Sequence, residues 1–568
     1  MAHTVQTKPA TSKAPTDDRG DAWWRTAVIY QVYPRSFADG NGDGIGDLEG
    51  VRSRLPYLSE LGVNALWFTP WYRSPLADGG YDVADYRAID PAFGTLEEAE
   101  ALIAEARELG IRTIVDIVPN HVSDQHAWFR AALAAGAGSP ERERFWFRAG
   151  RGATGEDPPN AWASIFGGSA WTRTTGADGL PGEWYLHLFT AEQPDLNWEH
   201  PDVRAEHEDV LRFWFDRGVA GVRIDSAALL AKDGALPDFA DEPGTGEHPT
   251  TDRDEVHDIY RSWRRVADSY DDPKALVGEV WLPDIDRFAR YLRPDEMQTA
   301  FNFDFLARPW DADELRTSID GTLAAHAPVG AAATWVLSNH DVTRPVTRYG
   351  REDSSFAFTR KRRETPTDLR LGTRRARAAA LLSAALPGSL YIYQGDELGL
   401  DEVEDLPADR IQDPMVHRSG GVDPGRDGCR VPLPWAGTEP PFGFSPADAS
   451  AQPWLPQPGR WAAVSAEVQA ADPNSMLSLY RRLLALRRRE ADLTTEAFRW
   501  LPSSDGVLAF VRGERTACVV NLGEDRIGLP AGSEVLATSE PLDDGRLAPD
   551  TAAWVRLARP PASTEGRE

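Results

Sequence analysis

The sequence holds 568 residues, 41% hydrophobic and 26% charged, enough apolar side chain for a large soluble core. Lys plus Arg number 61 against 89 Asp plus Glu, a formal net charge of −28, which argues against nucleic acid and anionic membranes as partners because both attract basic patches. Cys429 and Cys518 fit no metal spacing, no run of about 18 apolar residues occurs, and residues 1–20 lack the apolar core of a signal peptide, so a cytoplasmic protein acting on imported substrates is expected.

After a disordered leader at 1–20, eight apolar, β-branched runs succeed one another at residues 27–37, 63–69, 112–118, 219–225, 276–281, 299–305, 334–338 and 389–393. Amphipathic stretches separate them. Such alternation predicts a parallel sheet covered on both faces, and eight units predict a closed (β/α)8 TIM barrel rather than an open doubly wound sheet. A long Gly-, Pro-, Asn- and Trp-rich stretch at 122–200 reads as an insertion after the third strand, and 400–472 as a second one after the eighth. A helix is expected at 475–489 and short alternating strands beyond 492. The expected organisation is a barrel from 21–121 and 201–492, an inserted domain at 122–200 and a closing antiparallel β-sandwich at 493–568.

Barrel enzymes carry their chemistry at the C-terminal ends of the strands. Here the third run ends in Asp116 and continues to Asn120-His121, the fourth ends in Arg223-Ile-Asp225, the fifth holds Glu279-Val-Trp281, and the seventh leads into Asn339-His340-Asp341. One buried acid is easily structural. Several converging carboxylates with an arginine and two histidines are costly to desolvate and point to catalysis. A carboxylate pair flanking one bond suits glycoside hydrolysis, with roughly 5–5.5 Å between the two in a retaining enzyme. Asp225 suits the nucleophile, because Arg223 shares its face of the strand and is expected to keep it ionised. Glu279 suits the general acid/base, with a pKa expected to be raised by apolar neighbours and nearby charge.

Asp39-Gly-Asn41-Gly-Asp43-Gly-Ile45-Gly-Asp47 alternates oxygen ligands like the first part of an EF-hand loop, with Gly44 at the turn and Gly50 where the bidentate Glu would stand. An Asx-rich turn without an ion is the plain alternative.

On these residues the chain resembles glycoside hydrolase family 13, the α-amylase superfamily, in its oligo-1,6-glucosidase and α-glucosidase branch. The resemblance runs over about residues 22–560 and includes the opening Ala27-Val-Ile-Tyr-Gln-Val-Tyr-Pro-Arg-Ser-Phe37 and the marker Gln193-Pro-Asp-Leu-Asn197. It implies that Asp225 is the nucleophile, Glu279 the acid/base and Asp341 a third carboxylate gripping sugar hydroxyls. It further implies substrate-binding roles for Asp78, Tyr81, His121, Phe166, Arg223, His340 and Arg430, with Tyr81 stacked on the reacting glucose and Arg430 at the pocket mouth. Asp78 would block a longer chain and impose exo action. Asp39, Asn41, Asp43, Ile45 and Asp47 would hold a structural Ca²⁺ or Mg²⁺ away from the reaction, with no organic cofactor. Ser226 stands where α-1,6-specific members of the branch carry Val, which favours α-1,4 substrates such as maltose. The substrate implied is a small α-glucoside, taken by a monomer or small homo-oligomer. An α-glucosyltransferase or a sucrose- or isomaltose-acting enzyme of the same fold remains the alternative, with a non-catalytic binding or transporter-subunit relative more remote.

Overall fold

The computed structural model describes residues 22–176, 178–238, 248–361 and 364–561; the leader expected at 1–20 lies outside them. Eight parallel strands form the core: β1 (Val28–Val32), β2 (Ala65–Phe68), β3 (Arg112–Ile117), β4 (Gly221–Ile224), β5 (Ala275–Gly278), β6 (Thr299–Ala300), β7 (Thr334–Val336) and β8 (Ser389–Tyr393). β1 pairs with both β2 and β8, and the ladder runs from β2 through β6 on one side and from β8 to β7 on the other. Every residue of β1, β2, β4, β5 and β8 is buried, as strands covered on both faces require. Among the described residues no ladder joins β6 to β7. The Thr334 hydroxyl bridges that seam, donating to Ala300 O (2.6 Å) and accepting the Asn302 N–H (3.1 Å).

All eight apolar runs carry a strand. The run at 299–305 does so for only two residues, because Phe303–Ala307 is helical. Asn302 is the cause: its side chain accepts the Phe305 N–H at 3.0 Å and caps the helix, so Phe303 and Phe305 reach the core from a helical turn.

The principal helices are α1 (Leu96–Glu108), α2 (Pro201–Asp216), α3 (Val256–Ala267), α4 (Ala312–His326), α5 (Leu369–Ala385) and α6 (Met476–Arg489). Thr95 and Glu98 form a capping box on α1, and Ser475 caps α6. Between β3 and α2 lies a three-stranded antiparallel sheet of Phe147–Arg148, Trp171–Thr175 and Pro181–Leu186, with its own aromatic core of Trp146, Trp162, Phe166, Trp171 and Phe189. After α6 the chain forms β9 (Phe498–Trp500), β10 (Val507–Arg512), β11 (Thr516–Asn521), β12 (Glu534–Thr538) and β13 (Thr551–Arg556), an antiparallel sheet in the order β9-β10-β11-β13-β12. This sheet packs on α5. Trp554 donates to Leu381 O at 3.0 Å, and the buried guanidiniums of Arg487 and Arg512 bind the carbonyls of Ala384 and Ala385 at the negative end of the α5 dipole. Among the described residues no helix is long and apolar enough to cross a membrane.

Candidate active site

The parallel register sets Asp116 of β3 beside Arg223 of β4. Alternation along β4 turns Arg223 and Asp225 to the same side. The Arg223 side chain, 1% exposed, is held by three carboxylates. Its Nη1 donates to Asp116 Oδ1 (2.8 Å) and Asp225 Oδ1 (2.7 Å), and its Nη2 pairs with Glu279 Oε2 (2.6 Å). One planar guanidinium therefore spans Asp225 and Glu279, from the ends of adjacent strands, and holds together the two acids expected to flank a glycosidic bond. Glu279 is fixed twice more. Its Oε2 accepts the Ser226 N–H at 2.9 Å and its Oε1 accepts Trp281 Nε1–H at 3.1 Å. Trp281 is clamped in turn, stacked on Phe303 with centroids 3.6 Å apart.

Three carboxylates around one cation leave excess negative charge in a dry site. Burial raises the Asp225 carboxyl well above its ordinary range against the pull of Arg223, and Glu279 and Asp116 raise it further. Burial likewise pushes Asp116 up to about 7. The charge of Arg223 is divided among three acids, so it lowers Asp225 less than it would in an isolated Arg–Asp pair.

A tight turn builds the rear wall. Asp82 accepts the N–H groups of Ala77 (2.9 Å) and Asp78 (3.1 Å), while Gly79 (φ 60°) and Gly80 (φ 107°) supply the left-handed backbone that lets Asp78 and Tyr81 both face inward. Tyr81 stacks on His340 with centroids 5.2 Å apart, and its hydroxyl donates to Asp116 Oδ2 at 3.0 Å. Asp78 pairs with Arg426 Nη2 at 2.6 Å and accepts from Gln193 Nε2 at 3.2 Å.

Asp341 shares Arg426 and His340 with this wall. Its Oδ1 receives Arg430 Nη2 (2.8 Å) and Arg426 Nη1 (3.2 Å), and its Oδ2 is 3.4 Å from His340 Nε2. Burial alone would raise this carboxyl; the charges of Arg426 and Arg430 outweigh it and hold the group below the ordinary carboxylate range. Arg430 is 3% exposed and also donates to His340 O, so it backs Asp341 from within rather than standing at a rim. Burial keeps His121 and His340 neutral by lowering both. His121 lies against Phe189, which packs on Phe166; the Arg426 guanidinium sits 5.1 Å from the Phe166 ring.

Every residue expected in the site converges here. Sequence reasoning passed over the hub that joins them: Arg426 links Asp78, Asp341 and Asp413, the last by bonds of 2.7 and 3.0 Å. Its position four residues before Arg430 is a usable signal. Asp413, in a long loop, offers none.

The loop expected to bind a metal stands apart. Gly44 has the left-handed φ of 87° expected at its turn. Asp39 accepts the N–H groups of Gly42 and Gly44, Asp43 that of Ile45, and Asp47 those of Gly40, Asn41 and Gly50. The donors are all oxygen, the class that Ca²⁺ and Mg²⁺ select, and each carboxylate oxygen has two lone pairs. Among the described residues, no three His, Cys, Asp or Glu side chains gather as a metal group.

Comparison with known proteins places this geometry. The family model described as alpha amylase, catalytic domain, matches residues 31–496, and a domain of unknown function matches 499–554. A probable alpha-glucosidase of Rhizobium meliloti (strain 1021) is 36% identical over 525 residues, spanning 89% of this chain and 90% of that protein. A trehalose-6-phosphate hydrolase of Escherichia coli (strain K12) is 36% identical over 548 residues, 89% and 91% of the two chains. Among solved structures, an alpha-glucosyl transfer enzyme superposes with a TM-score of 0.81 at 34% identity, covering 94% of this chain and 99% of that one. With its barrel, its strand-end acids and these matches, the chain belongs to the alpha-amylase catalytic-domain family of glycoside hydrolases.

Proposed function

We propose that this protein is a retaining, exo-acting α-glucosidase that removes single terminal glucose units from short α-glucosides. The observation that carries the reading is the one guanidinium, Arg223, holding both Asp225 and Glu279. In the first step an Asp225 oxygen attacks the anomeric carbon while Glu279 gives its proton to the leaving glycosidic oxygen. In the second, Glu279 takes a proton from water, whose oxygen attacks the same carbon and releases Asp225. Asp341, kept anionic by its arginines, suits the sugar hydroxyls, and His121 and His340 suit neutral donors to the bound ring. The Asp78–Arg426 pair closes the rear wall and supports exo action.

The small Ser226 beside Asp225 favours α-1,4 over α-1,6 substrates. A panel of maltose, isomaltose, sucrose, trehalose and kojibiose, with products followed by anomeric proton NMR, tests the reading. From maltose the glucose cut from the non-reducing end should appear first as the α-anomer, in excess over the equilibrium mixture, and maltose should give the highest kcat/KM. Higher kcat/KM on isomaltose would remove the linkage assignment, and an inverted first product would remove the mechanism. The reading also includes a structural Ca²⁺ or Mg²⁺ on loop 39–47, a monomeric or small homo-oligomeric state and action in the cytoplasm, where the buried free thiols of Cys429 and Cys518 would stay reduced.

A further inference from the structure

Lys232 lies seven residues beyond Asp225 and is fully buried, yet it touches none of the acids described above. Its ammonium donates to Asn120 Oδ1 at 2.6 Å and Leu229 O at 2.8 Å, and it forms an ion pair with Asp195 Oδ2 at 2.9 Å. The first of these fixes which way the Asn120 amide points. With Oδ1 on Lys232, Nδ2 must face the other side, where it donates to Asp195 Oδ1 (3.2 Å) and meets His121 Nδ1 at 3.1 Å. A donor at that distance needs a bare ring nitrogen, so the single proton of neutral His121 goes to Nε2.

The surroundings of Nε2 agree. Tyr81 O, an acceptor, lies 3.0 Å away. Gln193 Nε2 is also 3.0 Å away, but its amide is oriented independently, with Oε1 accepting the Thr190 N–H and hydroxyl. Its two hydrogens have Asp78 Oδ2 (3.2 Å) and Tyr81 O (3.5 Å) as receivers. The opposite tautomer would set an Nδ1–H against the Asn120 NH₂ and leave Tyr81 O facing a lone pair. His340 offers a contrast. Gln31 Nε2 meets its Nδ1 at 2.7 Å, but Gln31 Oε1 has no hydrogen-bond partner, so nothing fixes that amide.

We propose that Lys232 is a positioning residue that, through the Asn120 amide, holds His121 as the Nε2–H tautomer, so that its one donor stays on Tyr81 O and fixes the ring against the rear wall of the site. The functional half of this inference rests on the reading of His121 as a sugar contact; the tautomer itself does not.

Long-range ¹H–¹⁵N correlation on the full chain with ¹⁵N-labelled histidine, assigned against His121→Gln, tests it. In the unsubstituted protein His121 should show a protonated Nε2 and a bare Nδ1. Asn120→Asp, which turns an acceptor toward Nδ1, should reverse the pattern, and Lys232→Met should mix the two tautomers. A protonated Nδ1 in the unsubstituted protein overturns the proposal, as does an unchanged pattern in the variants. Should Lys232→Met fail to fold, the unsubstituted protein and Asn120→Asp decide. In kinetics Lys232→Met should lower kcat by about tenfold, a coupling ordinary within one hydrogen-bond network, with little further loss when added to His121→Ala. An equal loss in both backgrounds would mean a purely structural lysine and would overturn the positioning role. Full activity of His121→Ala alone would remove the sugar-contact reading while leaving the tautomer result standing.

Discussion

Ser226 hands its backbone N–H to Glu279 from a left-handed conformation: φ is 46°, and the N–H lies 2.9 Å from Oε2. A residue with a Cβ adopts that conformation reluctantly, at a cost of about 1–3 kcal/mol. The chain thus bends sharply immediately after Asp225, and the bend supplies a donor to the acid on the neighbouring strand. Ser226→Gly should relieve the strain, keep the donor and retain activity with an unchanged or higher melting temperature. Ser226→Val, β-branched at positive φ, should lower both the melting temperature and kcat. Calorimetry and maltose kinetics on the pair decide; a Val variant as stable and active as the parent would show that the bend carries no strain.

The division of labour between Asp225 and Glu279 has a distinct kinetic signature. Asp225→Asn should lose activity by a factor on the order of 10⁴ or more with its circular dichroism intact. Glu279→Gln should lose far more on maltose than on an aryl glucoside, whose leaving group departs without proton donation. Equal losses on both substrates would take the acid role away from Glu279.

Asp78 and Arg426 should respond unequally although they share one ion pair. Asp78→Ala leaves Arg426 paired with Asp413 and Asp341, so the variant should fold, lose kcat/KM on maltose and gain relative activity on longer chains. Arg426→Met takes the common cation from three carboxylates, of which only Asp341 keeps another arginine, Arg430, a loss of about 3–5 kcal/mol. Thermal melts of the two variants should therefore separate widely; similar melting temperatures would mean that Arg426 is not the hub.

Four buried carboxyls should weaken the fold as pH rises through 6–7. Burial is the main cause raising Asp116, Glu397 and Glu402 to about 7 and Asp396 to about 6. A carboxyl raised in the folded state holds a proton that the unfolded chain has released. Its stabilising contribution is complete below the unfolded value near 4 and is lost as pH climbs through 6–7. Asp341 and Asp413, both depressed, act in the opposite sense, and only below about 4. Buried histidines lowered in the folded state, His126, His207 and His326 among them, act the other way up to about pH 6.5, so the test is differential: between pH 5 and 8 the melting temperature of Glu397→Gln should fall less, or rise more, than that of the parent. An identical pH dependence in the two proteins would contradict the assignment.

For loop 39–47, Ca²⁺ at about 100 times its Kd should stabilise the protein by about 2.7 kcal/mol, and a chelator should reverse the gain. Asp43→Ala should abolish the response, while the ion-free protein loses only the Asx-turn hydrogen bond from the Ile45 N–H, about 1 kcal/mol. A melting temperature indifferent to Ca²⁺, Mg²⁺ and chelator would make the loop a self-sufficient set of Asx turns.

The amino-acid order by itself determined the barrel, because strands buried on both faces must be written as near-continuous apolar runs, and a run of eight such units has few ways to hide its edges. It also determined that Arg223 and Asp225 share a side, since alternation is a local property of a strand, and that Gly44 marks a turn. The short β6 escaped it because a single asparagine cap competes with an apolar run, and the outcome depends on what Asn302 and Thr334 find around them. The electrostatics of the site were decided only by the tertiary structure. Arg426 reaches Asp78 across 348 positions of sequence, Lys232 reaches Asn120 across 112, and Arg223 gathers acids from β3 and β5 as well as its own strand. Charge–charge interaction depends on distance and on exclusion of water, and neither quantity is local along a chain. The sequence could name the acids, but only the fold could say how many of them one guanidinium must serve.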